Sequence, residues 1–395
     1  MDSHEDANTN PPEWEFGFVL PNLVLPSDPD DTNPGSWSSG LSVAPDLIAI
    51  APNKDPRVSA LRQANPAVAQ ILGAFKDQHG KSYEPAILLI SARAPESIRL
   101  RLEAIVAFRN IVAMSIILRG RAALARGHEA SAVTWSDSFD FHPAQVGRSG
   151  HVVIQSPALT SIVSADARLT FTHSPSISLE GRRLWPDRYL LWAGGKAWRR
   201  RFFRPIKKEA FGDRLFRSLE VAYQACGIGS KNEASLSEYG TQLALWVSAC
   251  EILAWPTNRH AGLESVLAML ARYPAREATH KLRFRAKVRG KPTRLSAVQR
   301  AYTYLYKARN GFLHGNPVSP NMMFTLNRRE RIALPRIAAI VYRAALVTYL
   351  DERYKKDLVS LKDVKERPME MFDDHNYEEA FANVFGYSLR RRPKR

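Results

Sequence analysis

The chain has 395 residues, 45% of them apolar, only two cysteines and a formal net charge of +17. That composition supports a sizeable core and excludes a disordered chain, a disulfide-framed secreted domain and, with no C-x-x-C pair, a cysteine-built zinc or redox centre. The charge is uneven: residues 1 to 55 carry ten carboxylates against Lys54, a balance of −9 that leaves +26 on the remainder, and so basic a surface favours nucleic acid before membrane.

The first 15 residues read as an acidic tail without the basic-then-apolar pattern of a signal peptide, so a cytoplasmic setting is expected. Residues 16–25 and 41–51 are rich in Val, Leu and Ile and flank a turn-rich loop, which predicts two extended segments. Helical spacing covers 58–75, with Pro66 placed to start or kink a turn. A short buried strand is expected at 86–90, then one long helix over 95–126 between Pro95 and Gly127. The apolar runs 104–118 and 332–350 are interrupted by Arg109 and by Arg336 with Arg343; both are short for a spanning helix and are expected in soluble cores. Short strands follow at 152–154, 158–163 and 168–172.

Near Trp185 the composition shifts. Lys196, Arg199, Arg200, Arg201, Arg204, Lys207 and Lys208 crowd around Trp198, Phe202 and Phe203. This run suits phosphate contacts and base stacking on RNA, or else a solvated charged face. Helices are predicted over 210–226, 235–254, 261–273, 295–312 and 333–356, mostly with short connections, which makes an antiparallel bundle. The longest connection, 275–293, alternates Lys281, Arg283, Arg285, Lys287, Arg289 and Lys291 and is read as an extended RNA-binding arm. Arg336 and Arg343, seven apart on the last helix, share a face that would extend this surface. The fold class is therefore α+β: a mixed α/β accessory or sensing domain over 16–195, an all-α bundle over 196–356, and an extension over 357–395 with a basic tail.

The chemistry concentrates in Y-T-Y-L-Y-K-A-R-N-G-F-L-H-G-N, residues 302–316. At ~100° per residue, Val298, Tyr302, Leu305, Arg309 and Phe312 fall on one helical face, so Arg309 continues an apolar stripe. An inward guanidinium needs a carboxylate, a subunit interface or a phosphate. Glu251, on a face with Leu243, Val247 and Ala254, is the expected companion. His314 lies ~140° further round an unbroken helix, so the motif needs a loosening at Gly311 or Gly315, or a second subunit, to join its two halves. A helix-ending His followed by Gly is also an ordinary cap, and an inward Arg an ordinary ion-pair partner. Arg109-Asn110 repeats the Arg-Asn step without a matching His and reads as core helix. The remaining histidines have no metal-ligand spacing, no cofactor is called for, and neither a P-loop nor a G-x-S-x-G is present.

The run L-Y-K-A-R-N-G-F-L-H-G resembles the R-x(4–6)-H signature of HEPN domains, and 243–254, with its Glu251, is similar to the preceding helix of the Apea-like branch. The likeness covers about 205–356. It implies a helical bundle, a homodimer in which two motifs face each other, and in many members a metal-independent endoribonuclease. In that chemistry His314 would take the proton of a ribose 2′-OH, Arg309 would stabilise the phosphate, and Asn310 would orient the motif. Many members are bacterial toxins or antiviral effectors restrained by an inhibitory partner protein; others are catalytically silent RNA-binding or scaffolding modules.

Overall fold

A computed structural model describes residues 13–25, 41–127, 135–147, 151–156, 159–163, 169–173, 177–178, 186–203, 209–228, 235–255, 262–273, 283–288, 290–314, 319–324, 333–360 and 375–383. The architecture is α+β and divides into two compact units, Met1–Ile105 with Ser138–Gly181, and Val106–Asp137 with Arg182–Arg395. The chain thus crosses between units three times, where composition predicted one boundary at 195. The apolar helix after residue 105 belongs with the helices that follow residue 182, a partnership that local composition does not record.

The first unit is built on strands β1 (Trp14–Leu20), β2 (Leu23–Val24), β3 (Leu41–Ala44) and β4 (Ile48–Ala51), helices α1 (Pro56–Ala64) and α2 (Pro66–Gly73), and strands β5 (Phe75–Lys76) and β6 (Ala86–Ser91). Its main sheet is antiparallel in the order β1-β6-β4-β3. Every residue of the central strand β6 is buried, which explains its unbroken apolar sequence A-I-L-L-I-S. Ile87 and Leu89 pack with Val58 and Leu61 of α1 and Val68, Ile71 and Leu72 of α2. The predicted helix over 58–75 is divided because Asn65 sits before Pro66 in extended backbone, φ −141°, and its side chain caps α2 through the N–H of Ala67 at 3.0 Å. Gly17 marks the bulge in β1: a Cβ there would lie 2.9 Å from the backbone oxygen of Leu88.

Past the short helix α3 (Glu96–Arg99) the chain enters α4 (Leu102–Ala125), so the single helix expected over 95–126 is two, and Gly127 ends it at φ +83°. Strands β7 (Ala144–Val146), β8 (Val152–Ser156) and β9 (Leu159–Val163) form a small antiparallel sheet of the first unit. The two-residue strands β10 (Phe171–Thr172) and β11 (Ile177–Ser178) pair in parallel with β5 and β2.

His142 lies in this unit's core, 6% exposed, its Nδ1 accepting from the N–H of Ala144 at 3.1 Å and its ring 4.4 Å from that of Phe171. Burial, reinforced by nearby His173, pushes its pKa down to about 4. The unfolded chain therefore takes up a proton that the folded unit refuses. The associated stability is intact above the unfolded pKa of ~6.5 and drains away as pH falls toward 4. We expect a loss on the order of 3 kcal/mol over that window, read as a falling denaturation midpoint of the wild type. His142→Phe should flatten that pH dependence, and an equal slope in the variant would refute the assignment.

The second unit contains α4 from Val106 onward, α5 (Arg188–Trp198), α6 (Ala210–Gly227), α7 (Leu236–Leu253), α8 (Leu263–Leu270), strands β12 (Phe284–Val288) and β13 (Lys291–Leu295), α9 (Ala297–Leu313), α10 (Leu334–Ser360) and a helix α11 over 375–383. Helix α7 is central, packed against α6, α9 and α10. Ser218 of α6 donates to the carbonyl of Ala249 at 2.8 Å, and Gln242 caps the end of α6 by donating to Ala225 and Ile228 at 2.9 and 2.7 Å. Arg343 does not extend a basic face, as its spacing from Arg336 predicts. It is 1% exposed, bonded to the fully buried Asp187 at 3.1 Å, with its guanidinium 4.1 Å from the Tyr377 ring centre. Asp187 also caps α5 at the N–H of Leu190, and its own N–H donates to Ser115 of α4. The C-terminal extension is therefore part of the fold at α11, where Tyr377, Ala380 and Phe381 are buried and Asn376 and Glu379 meet Arg126. The basic tail, 384–395, lies outside the described residues.

Candidate active site

Helix α9 starts at a capping box: Ser296 accepts from the N–H of Gln299 at 3.3 Å, and Gln299 accepts from that of Ser296 at 2.8 Å. The amide of Gln299 also donates to Leu267 at 2.8 Å, which ties the start of α9 to α8. At the other end Phe312 lies on Gly240 of α7, where a Cβ would come within 2.3 Å of its ring. These two anchors fix the rotation of α9 about its axis. Val298, Tyr302 and Leu305 are buried as the periodicity predicts.

Gly311 does not loosen the helix. It stays in regular α9 because the missing side chain makes room for Met322, whose methyl would sit 2.7 Å from a Cβ. The helix ends only at His314, whose N–H donates to Asn310 at 3.1 Å; Gly315 lies outside the described residues. With the backbone helical through Leu313, residues 309 and 314 leave the helix axis ~140° apart.

Arg309 is anchored at the edge of the apolar stripe, its side chain 21% accessible. Nη1 donates to Asn310 Oδ1 at 3.0 Å, Nη2 stands 3.7 Å from Glu251 Oε2, and the guanidinium is 5.7 Å from the Tyr306 ring centre. Glu251 is thus the carboxylate that meets it, through a long and half-buried contact. Burial raises the Glu251 pKa and Arg309 opposes the rise only in part, which fits so long a separation. Two donors in this nest are buried with no hydrogen-bond partner among the described residues, Arg309 Nε and the Tyr302 hydroxyl. Burial, with the Cys250 and Glu251 groups nearby, pushes the Tyr302 pKa well up, so the phenol keeps its proton as a donor. Tyr302 was legible only as a core position; its unspent hydroxyl has no sequence signal.

His314 is exposed at the helix end beside Leu313, which is 56% exposed; on α7, Tyr239, 37% exposed, precedes the Gly240 that meets Phe312.

The basic segments divide differently from their sequence pattern. Arg200 and Arg353 both pair with the buried Glu209, at 2.5 and 2.8 Å, and Arg201 pairs with Asp213 at 2.9 Å. Trp198 and Phe202 are core residues, 0% and 3% exposed, so they offer no faces to bases. These cations and rings hold α5, the π-turn Arg199–Phe203 and α6 together. Lys196 is exposed over Trp192, its Nζ 4.5 Å from the ring centre, and Arg199 is half-buried; Arg204, Lys207 and Lys208 lie outside the described residues. The 275–293 connection is not an extended arm over its described part. Gly290, at φ +80°, turns it into the antiparallel hairpin β12–β13, which presents Arg283, Arg285, Lys287 and Lys291; Lys281 and Arg289 lie outside the described residues. Arg109 lies 4.1 Å over the Tyr223 ring and bonds Asn110, as a core helix requires.

Among the described residues no group of three or more His, Cys, Asp or Glu could hold a metal ion, and no helix is long and apolar enough to cross a membrane. Comparison with family models, curated proteins and solved structures finds no match to the chain.

Proposed function

We propose that this protein is a HEPN-type, metal-independent endoribonuclease whose site is completed between two copies, in a toxin-like or antiviral-defence role. The observation that carries the reading is the Arg309 nest: a guanidinium held by Asn310 and Glu251 that still has an unspent buried donor, Nε, beside the unspent Tyr302 hydroxyl. Such a nest has donor capacity for a phosphate oxygen. In the reaction the imidazole of His314 takes the 2′-OH proton, O2′ bonds to phosphorus, and the P–O5′ bond breaks as O5′ takes a proton from water. The products are a 2′,3′-cyclic phosphate and a 5′-hydroxyl. The ~140° separation supports a site completed by the imidazole of the opposite copy, and the exposed Leu313 and Tyr239 offer apolar surface for that contact. The partners are thus RNA, a second copy of the chain and, by the same resemblance, an inhibitory protein.

The test is incubation of the purified wild type with single-stranded RNA in the presence of a chelator, with product ends analysed by mass. Cyclic-phosphate ends support the reading; intact RNA from a dimeric protein sinks it. The separation of the two residues within one copy also favours a second reading, a silent RNA-binding or scaffolding protein that uses the motif at its dimer interface. In that case RNA is bound uncut and His314→Ala changes the oligomeric state.

A further inference from the structure

The hairpin β12–β13 places like charges face to face. Arg285 stands directly opposite Arg294 in the register, and Lys287 opposite Pro292, so these residues share one face of the ribbon. Burial alternates along β12, with Arg285 and Lys287 exposed and Phe284, Ala286 and Val288 partly covered. Arg283, two residues earlier and also exposed, continues the outward row. Among the described residues no carboxylate pairs with Arg285, Lys287 or Arg294. A directly opposed Arg pair destabilises a two-stranded ribbon unless an anion lies across it.

The opposite face joins the ribbon to α9: Phe284 lies under Arg300, whose guanidinium is 4.7 Å from the ring centre, and Arg300 Nε donates to the Tyr304 hydroxyl at 3.0 Å. From there Arg300, Lys307 and His314 recur every seven residues. They form one line along the helix with steps of ~10.5 Å. Lys307 and His314 are exposed, and Lys307 has no ion-pair partner among the described residues. Between Lys307 and His314, Met322 packs on Gly311.

We propose that the outward face of the hairpin and the exposed Lys307 and His314 of α9 form one track for a single-stranded polynucleotide, which the hairpin grips at a distance from the motif. Alternate residues on β12 present cations every ~6.8 Å, a step close to that between successive phosphates of an extended strand. Arg283, Arg285 and Lys287 make one file along β12, which follows one backbone, and Arg294 stands across from Arg285 to flank that same backbone; a duplex carries two. Helix α9 separates the hairpin from His314 by ~25 Å, so a bound strand must span several nucleotides to engage both ends. The track deepens the nuclease reading, by naming its substrate class, and rests on it for the role of His314 alone.

The experiment is fluorescence anisotropy of the full chain with a labelled, uncleavable 2′-O-methyl dodecauridylate across a salt series. The comparison is wild type against Arg285→Gln/Lys287→Gln/Arg294→Gln and against Lys307→Gln, with folding checked by circular dichroism. Neutralising the three hairpin cations should lower the slope of log K on log salt by about 2 and weaken binding roughly ten-fold or more at moderate salt. Lys307→Gln should lower the slope by about 0.7. An unchanged slope in the folded triple variant overturns the track, and equal affinity for a duplex of the same length overturns its single-strand character. Because the probe cannot be cut, these results stand whether or not the wild type cleaves RNA. A changed slope without cleavage sinks only the nuclease reading, and cleavage with an unchanged slope sinks only the track.

Discussion

Alanine in place of His314 should lower RNA cleavage by ~10²–10⁴-fold, the range for removing a positioned proton-transfer group. Folding should survive, because the His314 side chain is exposed and the helix-ending bond comes from its backbone. Arg309→Ala should lower cleavage by ~10²–10³-fold through lost stabilisation of the phosphate, and Arg309→Lys should not restore it, since a lysine lacks the planar fork that meets Asn310 and Glu251 together. The geometry of α9 adds a sharper test. If the arginine of one copy works with the histidine of the other, mixing the two inactive alanine variants after subunit exchange leaves one intact site in each mixed dimer. About a quarter of wild-type activity then returns. No recovery from a verified mixed dimer would place the reaction elsewhere.

The largest stability effect is expected at Asp187. Its carboxylate is fully buried and meets Arg343, which is itself 1% exposed, so Asp187→Ala abandons a cation in the core. Breaking a buried pair from one side costs about 3–5 kcal/mol, and the lost cap of α5 adds about 1. The midpoint of chemical denaturation should fall accordingly. Asp187→Leu with Arg343→Met, which removes both charges, should recover much of the loss. Equal destabilisation by the single and double variants would mean that packing at these positions, and not the uncompensated charge, dominates.

Elements with local signals were legible in the sequence. Both capping boxes, Ser235 with Glu238 and Ser296 with Gln299, stand where the bundle helices begin. Pro66 divides a helix and β6 is a continuous apolar run because it is buried throughout. Other features depended on partners remote in sequence. Nothing beside Arg343 announces Asp187, and nothing beside Arg200 announces a buried Glu209 that two arginines share. The hairpin was hidden because alternating basic residues read alike in an arm or a strand until Gly290 fixes the register. At the motif, the stripe that carries Arg309 was readable from periodicity, while Gly311 misled. Its usual meaning is a weak point in a helix, but here it is a seat for Met322.

The interrupted path of the chain has a consequence for synthesis on the ribosome. Helix α4 is made early, yet it lines a small apolar cavity together with α5, α6 and Leu346 and Leu350 of α10, which is made late. At ~5–20 residues per second the wait between α4 and the end of α10 lasts tens of seconds. Throughout it, Ile111 and Met114 lack part of their final cover. The first unit, whose last segment ends at Gly181, can meanwhile be complete. A nascent chain stopped before residue 334 would present a finished sheet domain joined to a sticky helix, a natural client for chaperones and proteases.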